Sequence, residues 1–222
     1  NEKDRGVLTK EELGRIVSYL NDHKNDIFPS YRLGILLAAS TGMRLSEIRA
    51  VNTADFVECE VNGYEKLLIR HSIGYLSGVK GTKGKYDRAI LVDREFAEEI
   101  KNNANSKGVA FPSSRESRDY MSAPSLRIFF YEVLEAIGIK EEERIERNIT
   151  FHSLRHSFST LSRDYEISQE DRMLVLGHKS TKINDRYTHS TDEALERVSK
   201  LSTVILSGEK TSAEKGAENG VF

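Results

Sequence analysis

Residues 150–189 read TFHSLRHSFSTLSRDYEISQEDRMLVLGHKSTKINDRYTH, a stretch with four of the six histidines in the chain and with Tyr187 nine residues after His178. His152 and Arg155 stand three apart in a run of helical character, so both side chains can face one point. An imidazole and a guanidinium on one helix face, a second imidazole after a Leu-Gly turn and a phenol shortly beyond supply charge-neutralising donors and an oxygen nucleophile. The point they face has the chemistry of a phosphate site.

Upstream, Thr9-Lys10-Glu11-Glu12 has the form of a capping box, and Leu13, Ile16, Val17 and Leu20 recur at helical spacing, which predicts a helix to about Asn21. A second apolar helix is expected over residues 31–39, stopped by Thr41-Gly42, with Arg44 directly after the stop and Ser46 as the cap of a short helix over 47–51. Between 56 and 92 the texture changes: residues 67–69, 73–79 and 88–92 read as short strands, with Gly81-Thr82-Lys83-Gly84 as the turn between the last two. Helices return over 95–103, 124–137 with Gly138 as stop, 152–164, 168–176 and 191–205. Leu195, Val198, Leu201 and Ile205 give the last helix one apolar stripe. The fold class expected is α+β, predominantly helical with a small antiparallel three-stranded sheet, as one domain over residues 1–206. The segment 207–222 has almost no apolar content and is expected to be a disordered tail.

A chain of 222 residues can bury a sizeable core. Its termini and interior show no signal-peptide pattern and no apolar run long enough to cross a bilayer. Cys59 is the only cysteine, which removes disulfides and cysteine-based zinc sites; a cytoplasmic, DNA-associated location is the expectation. The net charge of −2 argues by itself against nucleic-acid binding, but the distribution matters more than the sum. Lys66, Arg70, Lys80, Lys83, Lys85, Arg88 and Arg94 face only Asp87 and Asp93 in one stretch, while acid gathers at Glu141, Glu142, Glu143 and Glu146. A basic face is compatible with that pattern, and so is a solvated charged hairpin.

HSLRH at residues 152–156, LGH at 176–178 and YTH at 187–189, with TGMRLSEI at 41–48, resemble the motifs of the tyrosine recombinases, the family of phage integrases and Xer-type resolvases. The resemblance runs from Leu8 to about Leu206. It implies that Arg44 and Arg155 hold a DNA phosphate, that His152 has a base-like role, that His178 donates a further hydrogen bond, and that Tyr187 attacks phosphorus. Two arginines suit the task, because a guanidinium stays charged and donates two parallel hydrogen bonds to non-bridging oxygens. A phenol with an ordinary pKa near 10 needs such surroundings to attack at neutral pH. The family places a lysine in a β-hairpin turn to protonate the leaving 5′ oxygen; Lys80, Lys83 and Lys85 compete for that part, and the strand from Arg88 onward favours Lys83.

What the resemblance implies is a site-specific DNA recombinase acting on double-stranded DNA in the service of a mobile element or of DNA resolution. It would use a 3′-phosphotyrosyl intermediate, no metal, no ATP and no other cofactor, and self-association on DNA as a tetrameric synapse. The alternatives are a type IB topoisomerase, which reseals the same duplex, and a DNA-binding module that does not cut. Family members usually carry a DNA-clamping domain ahead of this one, and the chain opens near that boundary with VLTKEEL, so a catalytic fragment or short form with weak DNA affinity is expected. In related recombinases the segment after the tyrosine docks on a neighbouring subunit, and the last helix is expected to contribute to such contacts here, the simpler alternative being that its apolar stripe folds back on its own domain.

Other chemistries fit worse. The glycines between Gly78 and Lys85 are spaced one residue too far for a phosphate-binding P-loop, and Tyr86 stands where a Ser or Thr would hold magnesium. His152 and His156 have metal-ligand spacing but no acid between them, and G-x-S-x-G is absent. His156 reads as a packing or hydrogen-bonding residue.

Overall fold

The structure is a computed structural model that describes residues 6–74, 79–81, 88–177 and 191–207. Helix α1 (Lys10–Asp22) starts where its capping box requires: the Glu12 amide donates to Thr9 Oγ1 at 3.2 Å and the Thr9 amide to the Glu12 carboxylate at 2.8 Å. Helix α2 (Pro29–Thr41) is apolar nearly all round and runs through the core, with Leu33, Ile35, Leu36, Leu37, Ala38 and Ala39 buried. It stops at Gly42, whose φ of 65° lies in the left-handed region. A Cβ at Gly42 would stand 2.7 Å from Leu176 Cδ2 and 2.9 Å from the Phe158 ring, so close packing and backbone conformation both demand glycine there.

The short helix α3 (Leu45–Ile48) begins two residues before the expected start, with Arg44 rather than Ser46 at its N-cap. The Glu47 carboxylate accepts from the Arg44 amide at 2.8 Å, which fixes the start from inside the first turn. Strands β1 (Phe56–Val57), β2 (Tyr64–Ile69), β3 (His71–Ile73), β4 (Val79–Gly81) and β5 (Arg88–Asp93) follow. The expected three-stranded antiparallel sheet is present in the order β1-β2-β5, with Tyr64 opposite Asp93 and Ile69 opposite Arg88. Its members differ from the expectation. Residues 73 and 79 are not the two ends of one strand; Ile73 lies opposite Val79 in a separate two-stranded sheet of β3 and β4. A short apolar run does not reveal whether the chain reverses inside it. The third strand of the main sheet is β1, too short to show any alternation.

Helices α4 (Arg94–Asn102), α5 (Ala123–Ala136), α7 (Ser153–Asp164) and α8 (Gln169–Leu176) lie within a residue or two of their expected bounds, and Ser168 caps α8 by accepting from the Asp171 amide. Helix α6 (Glu141–Glu146) went unread because it buries no residue and so has no apolar period; acids in its first turn favour it through the helix dipole. Helix α9 (Thr191–Ser207) packs on α2, β5, α1 and α8, with Leu195, Val198, Leu201 and Ile205 buried at 2–7% exposure. The stripe therefore covers its own core, which corrects the expectation that it docks on a neighbouring subunit. Ser207 ends α9, and the rest of the expected tail, 208–222, lies outside the described residues. One hydrophobic cluster joins Leu8, α1, α2, the main sheet, α5, α7, α8 and α9. No helix among the described residues is long and apolar enough to cross a membrane.

Candidate active site

The turn after α2 delivers Arg44 onto the N-terminus of α3, with its side chain 41% exposed and Nη1 donating to Glu47 Oε1 at 2.9 Å. Arg155, one turn into α7, is held differently. It is buried, and its Nη1 donates to the Gly42 carbonyl at 2.8 Å while Nη2 donates to the Leu176 carbonyl. Those two carbonyls close the C-termini of α2 and α8, where the helix dipoles place partial negative charge. One guanidinium thus ties three helices together through carbonyls, with no direct ion pair to a carboxylate among the described residues.

Glu47 and Arg88 complete the group, and sequence reasoning assigned neither a role. Arg88 on β5 grips Glu47 with both terminal nitrogens, at 2.8 and 2.6 Å, and its Nε donates to the Val175 carbonyl at 2.8 Å. Burial alone would raise the Glu47 pKa, but the hydrogen bonds and charge of Arg88, followed by the amide and charge of Arg44, hold it down at about 2. Glu47 is therefore ionised at neutral pH and buried between two cations. Its signal was present in TGMRLSEI, where it is the one acid and stands three residues after Arg44. Gly177 serves the same grip. Its φ is 64°, and a Cβ there would meet Arg88 Cδ at 2.9 Å, so the glycine of LGH lets the Arg88 side chain pass beneath the end of α8.

The electrostatic balance of this group is unequal: Arg44, Arg88 and Arg155 share the one carboxylate of Glu47. Burial first, then repulsion from Arg44 and Arg88, lowers the Arg155 pKa to about 9, with Glu47 opposing. Arg155 stays charged at neutral pH, in surroundings that an added anion would relieve.

His152 is the N-cap residue of α7 and is exposed. Its ring meets that of His156 edge-on, with centroids 4.6 Å apart. It lines a cleft of about 220 Å³ with Met43, Leu45, Thr150, Phe151 and Arg127. Met43 and Leu45 flank Arg44, so His152, Arg155 and Arg44 all converge on the turn at residues 42–45. His178, Tyr187 and Lys83 lie outside the described residues, as does Lys85, while the backbone of Lys80 lies on β4 opposite Ser72. The expected basic face is thinned by internal pairing. Lys66 bonds Asp192 at 2.7 Å, Arg70 approaches Asp55 at 3.9 Å, Arg88 is committed to Glu47, and Arg94 donates to the Tyr64 carbonyl at 3.3 Å.

Comparison with known proteins places this geometry in context. The sequence model of the Phage integrase family matches residues 6–194. The tyrosine recombinase XerA of Pyrococcus furiosus is 31% identical over 212 residues, covering 89% of this chain and 63% of that protein, so the chain spans less than two thirds of that relative. Two solved structures share the fold. The Tn1549 transposon integrase in complex with transposon right end DNA aligns with a TM-score of 0.62 at 17% identity, over 98% of this chain and 66% of the other. A lambda integrase tetramer bound to a Holliday junction aligns at 0.55 and 22% identity, over 81% and 48% of the two chains.

Proposed function

Since the chain belongs to the phage integrase family, we propose that it is the catalytic part of a site-specific DNA recombinase, which cuts and rejoins strands through a covalent 3′-phosphotyrosyl intermediate. The observation that carries this reading is the cluster of Arg44, Arg155 and Arg88 around a single carboxylate, beside the exposed His152. It is a preorganised site short of one anion. In the reaction, the Tyr187 oxygen bonds to phosphorus as the bond to the 5′ oxygen breaks. The phenol proton passes toward His152, and Lys83 protonates the departing 5′ oxygen. Arg44 and Arg155, with His178, donate to the non-bridging oxygens, whose charge grows in the five-coordinate transition state; donors already fixed in place stabilise that state more than the ground state. The phosphotyrosyl link conserves the bond energy, and a 5′ hydroxyl of the partner duplex reverses the step with no ATP. Arginines and a lysine take the part that metal ions play in other phosphoryl transfers.

The partner is double-stranded DNA, inside the cell, with self-association into a tetrameric synapse, a reading supported by the fold shared with a lambda integrase tetramer bound to a Holliday junction. Nicked suicide duplexes of randomised sequence test the proposal. The wild-type chain is expected to form a covalent adduct, unaffected by excess EDTA, and Tyr187→Phe to bind without forming it. An adduct of undiminished yield in that variant, or cleavage that EDTA abolishes and a divalent metal restores, would overturn the mechanism. Exchange of strands between two duplexes separates a recombinase from a type IB topoisomerase, which reseals one.

A further inference from the structure

A second cleft, with a volume of about 570 Å³, is lined by residues of helices α7 and α8, His156 among them. Its polar lining is His156, Ser159, Thr160, Arg163, Gln169 and Arg172; among the described residues no carboxylate lines it. The proposed reaction uses none of these side chains. Arg172 is the informative one. Its Nε is shut off from solvent and has no hydrogen-bond partner, and the side chain forms no ion pair among the described residues. Arg163 makes one long contact, Nη2 to Thr160 Oγ1 at 3.4 Å. A buried guanidinium N–H without an acceptor is an uncommon arrangement, because desolvation of the donor is then uncompensated.

We infer that this cleft binds the DNA backbone beside the scissile position, with Arg163 and Arg172 as phosphate ligands. The inference rests on the recombinase reading and extends it. Two facts select nucleic-acid phosphate over a carboxylate from another protein copy. The cleft adjoins the candidate active site, since His156 in its lining meets the ring of His152 edge-on at 4.6 Å. Its hydroxyl and amide groups surround two cations, a donor set suited to the several oxygens of a phosphodiester rather than to one carboxylate. The scale agrees. From His156 to Arg163 the rise along α7 is about 10 Å, roughly three nucleotide steps along one strand.

The test uses the full chain and the duplex recovered from the Tyr187 adduct. Arg163→Gln, Arg172→Gln and the double variant are compared with Lys140→Gln, an equal charge change at a residue that is paired with Glu135 and does not line the cleft. The slope of log Kd against log salt is expected to flatten by about 0.9 for each phosphate contact removed, with no change for Lys140→Gln. Neutral methylphosphonate at single positions within about three nucleotides of the cut should weaken wild-type binding at one or two of them and leave the double variant indifferent there. Arg163 is exposed, so its single variant keeps the test alive even if Arg172→Gln misfolds. An unchanged slope with adduct formation intact would overturn this inference alone. So would a loss equal to that of Lys140→Gln, or weakened association between copies at unchanged DNA slope. If the wild-type chain forms no adduct on any duplex, the recombinase reading fails first and this inference falls with it.

Discussion

The platform around Glu47 and the β3–β4 hairpin are anchored to the fold in different ways. On the platform, Arg155 is buried and Arg88 partly so, and their donors are spent on the Glu47 carboxylate of α3 and on carbonyls at the ends of α2 and α8. The hairpin is a two-stranded sheet apart from the main one, and it packs chiefly on α3. An isolated two-stranded ribbon has little stability of its own. Charges built into the core in this way are in place before DNA arrives, whereas the lysine proposed to protonate the leaving group, Lys83, lies in sequence between β4 and β5, outside the described residues. On the proposed mechanism, a substitution on the platform is expected to affect fold and chemistry together, and one at Lys83 chemistry alone.

The largest loss of stability is expected from Glu47→Gln, which leaves the Arg88 charge buried without its counterion, on the order of 4 kcal/mol by urea denaturation at pH 7. The pH dependence follows from the depressed folded pKa of Glu47, about 2. The wild-type advantage is fully present above its ordinary value of 4.5 and is lost as pH falls through about 2. A difference between the two proteins that does not shrink between pH 4.5 and 2 would show that Glu47 is not the ionised partner.

Leu201→Ala comes next, at about 3 kcal/mol, because α9 packs this side chain into the same core that positions the platform. The measurement is made on the protein at concentrations where it is monomeric. If monomer stability is unmoved and only assembly on DNA suffers, α9 belongs to a neighbour after all.

Lys83→Ala should have the smallest effect on stability, within about 0.5 kcal/mol, while cleavage falls by about 10²- to 10⁴-fold. A substrate with sulfur in place of the 5′ oxygen has a leaving group that needs no acid, so it should largely rescue Lys83→Ala but not Arg44→Ala or Arg155→Ala. Rescue of Lys80→Ala or Lys85→Ala instead would move the role along the hairpin. A loss of stability comparable to that of Glu47→Gln would erase the contrast between the two regions.

Much of this was legible in the chain, and the pattern of what was not is physical. Thr9 and Glu12, Gly42, Ser168 and Leu195 through Ile205 announce caps, stops and an apolar face through contacts within one or two helical turns. HSLRH and LGH mark the helix and the turn that bring Arg155 to Leu176, and TGMRLSEI marks Arg44. That Ile73 and Val79 belong to two paired strands rather than to one was hidden because an apolar strand and an apolar hairpin share one pattern. Helix α6 was hidden because nothing in it is buried.

The sequence by itself determined the helices with an apolar face and most of their ends, and the residue types and order of the candidate site, since these depend on interactions between residues near one another in the chain. Only the tertiary structure decided how the charges are held. Arg88 finds Glu47 across 41 residues, and Arg155 finds the Gly42 carbonyl across 113. No local rule selects such partners. Burial does: a charge removed from water must meet a compensating group, and which group stands within reach is set by how the helices and the sheet close around the core. The same closure turned the stripe of α9 inward, where sequence spacing had shown only that it needed an apolar surface to cover.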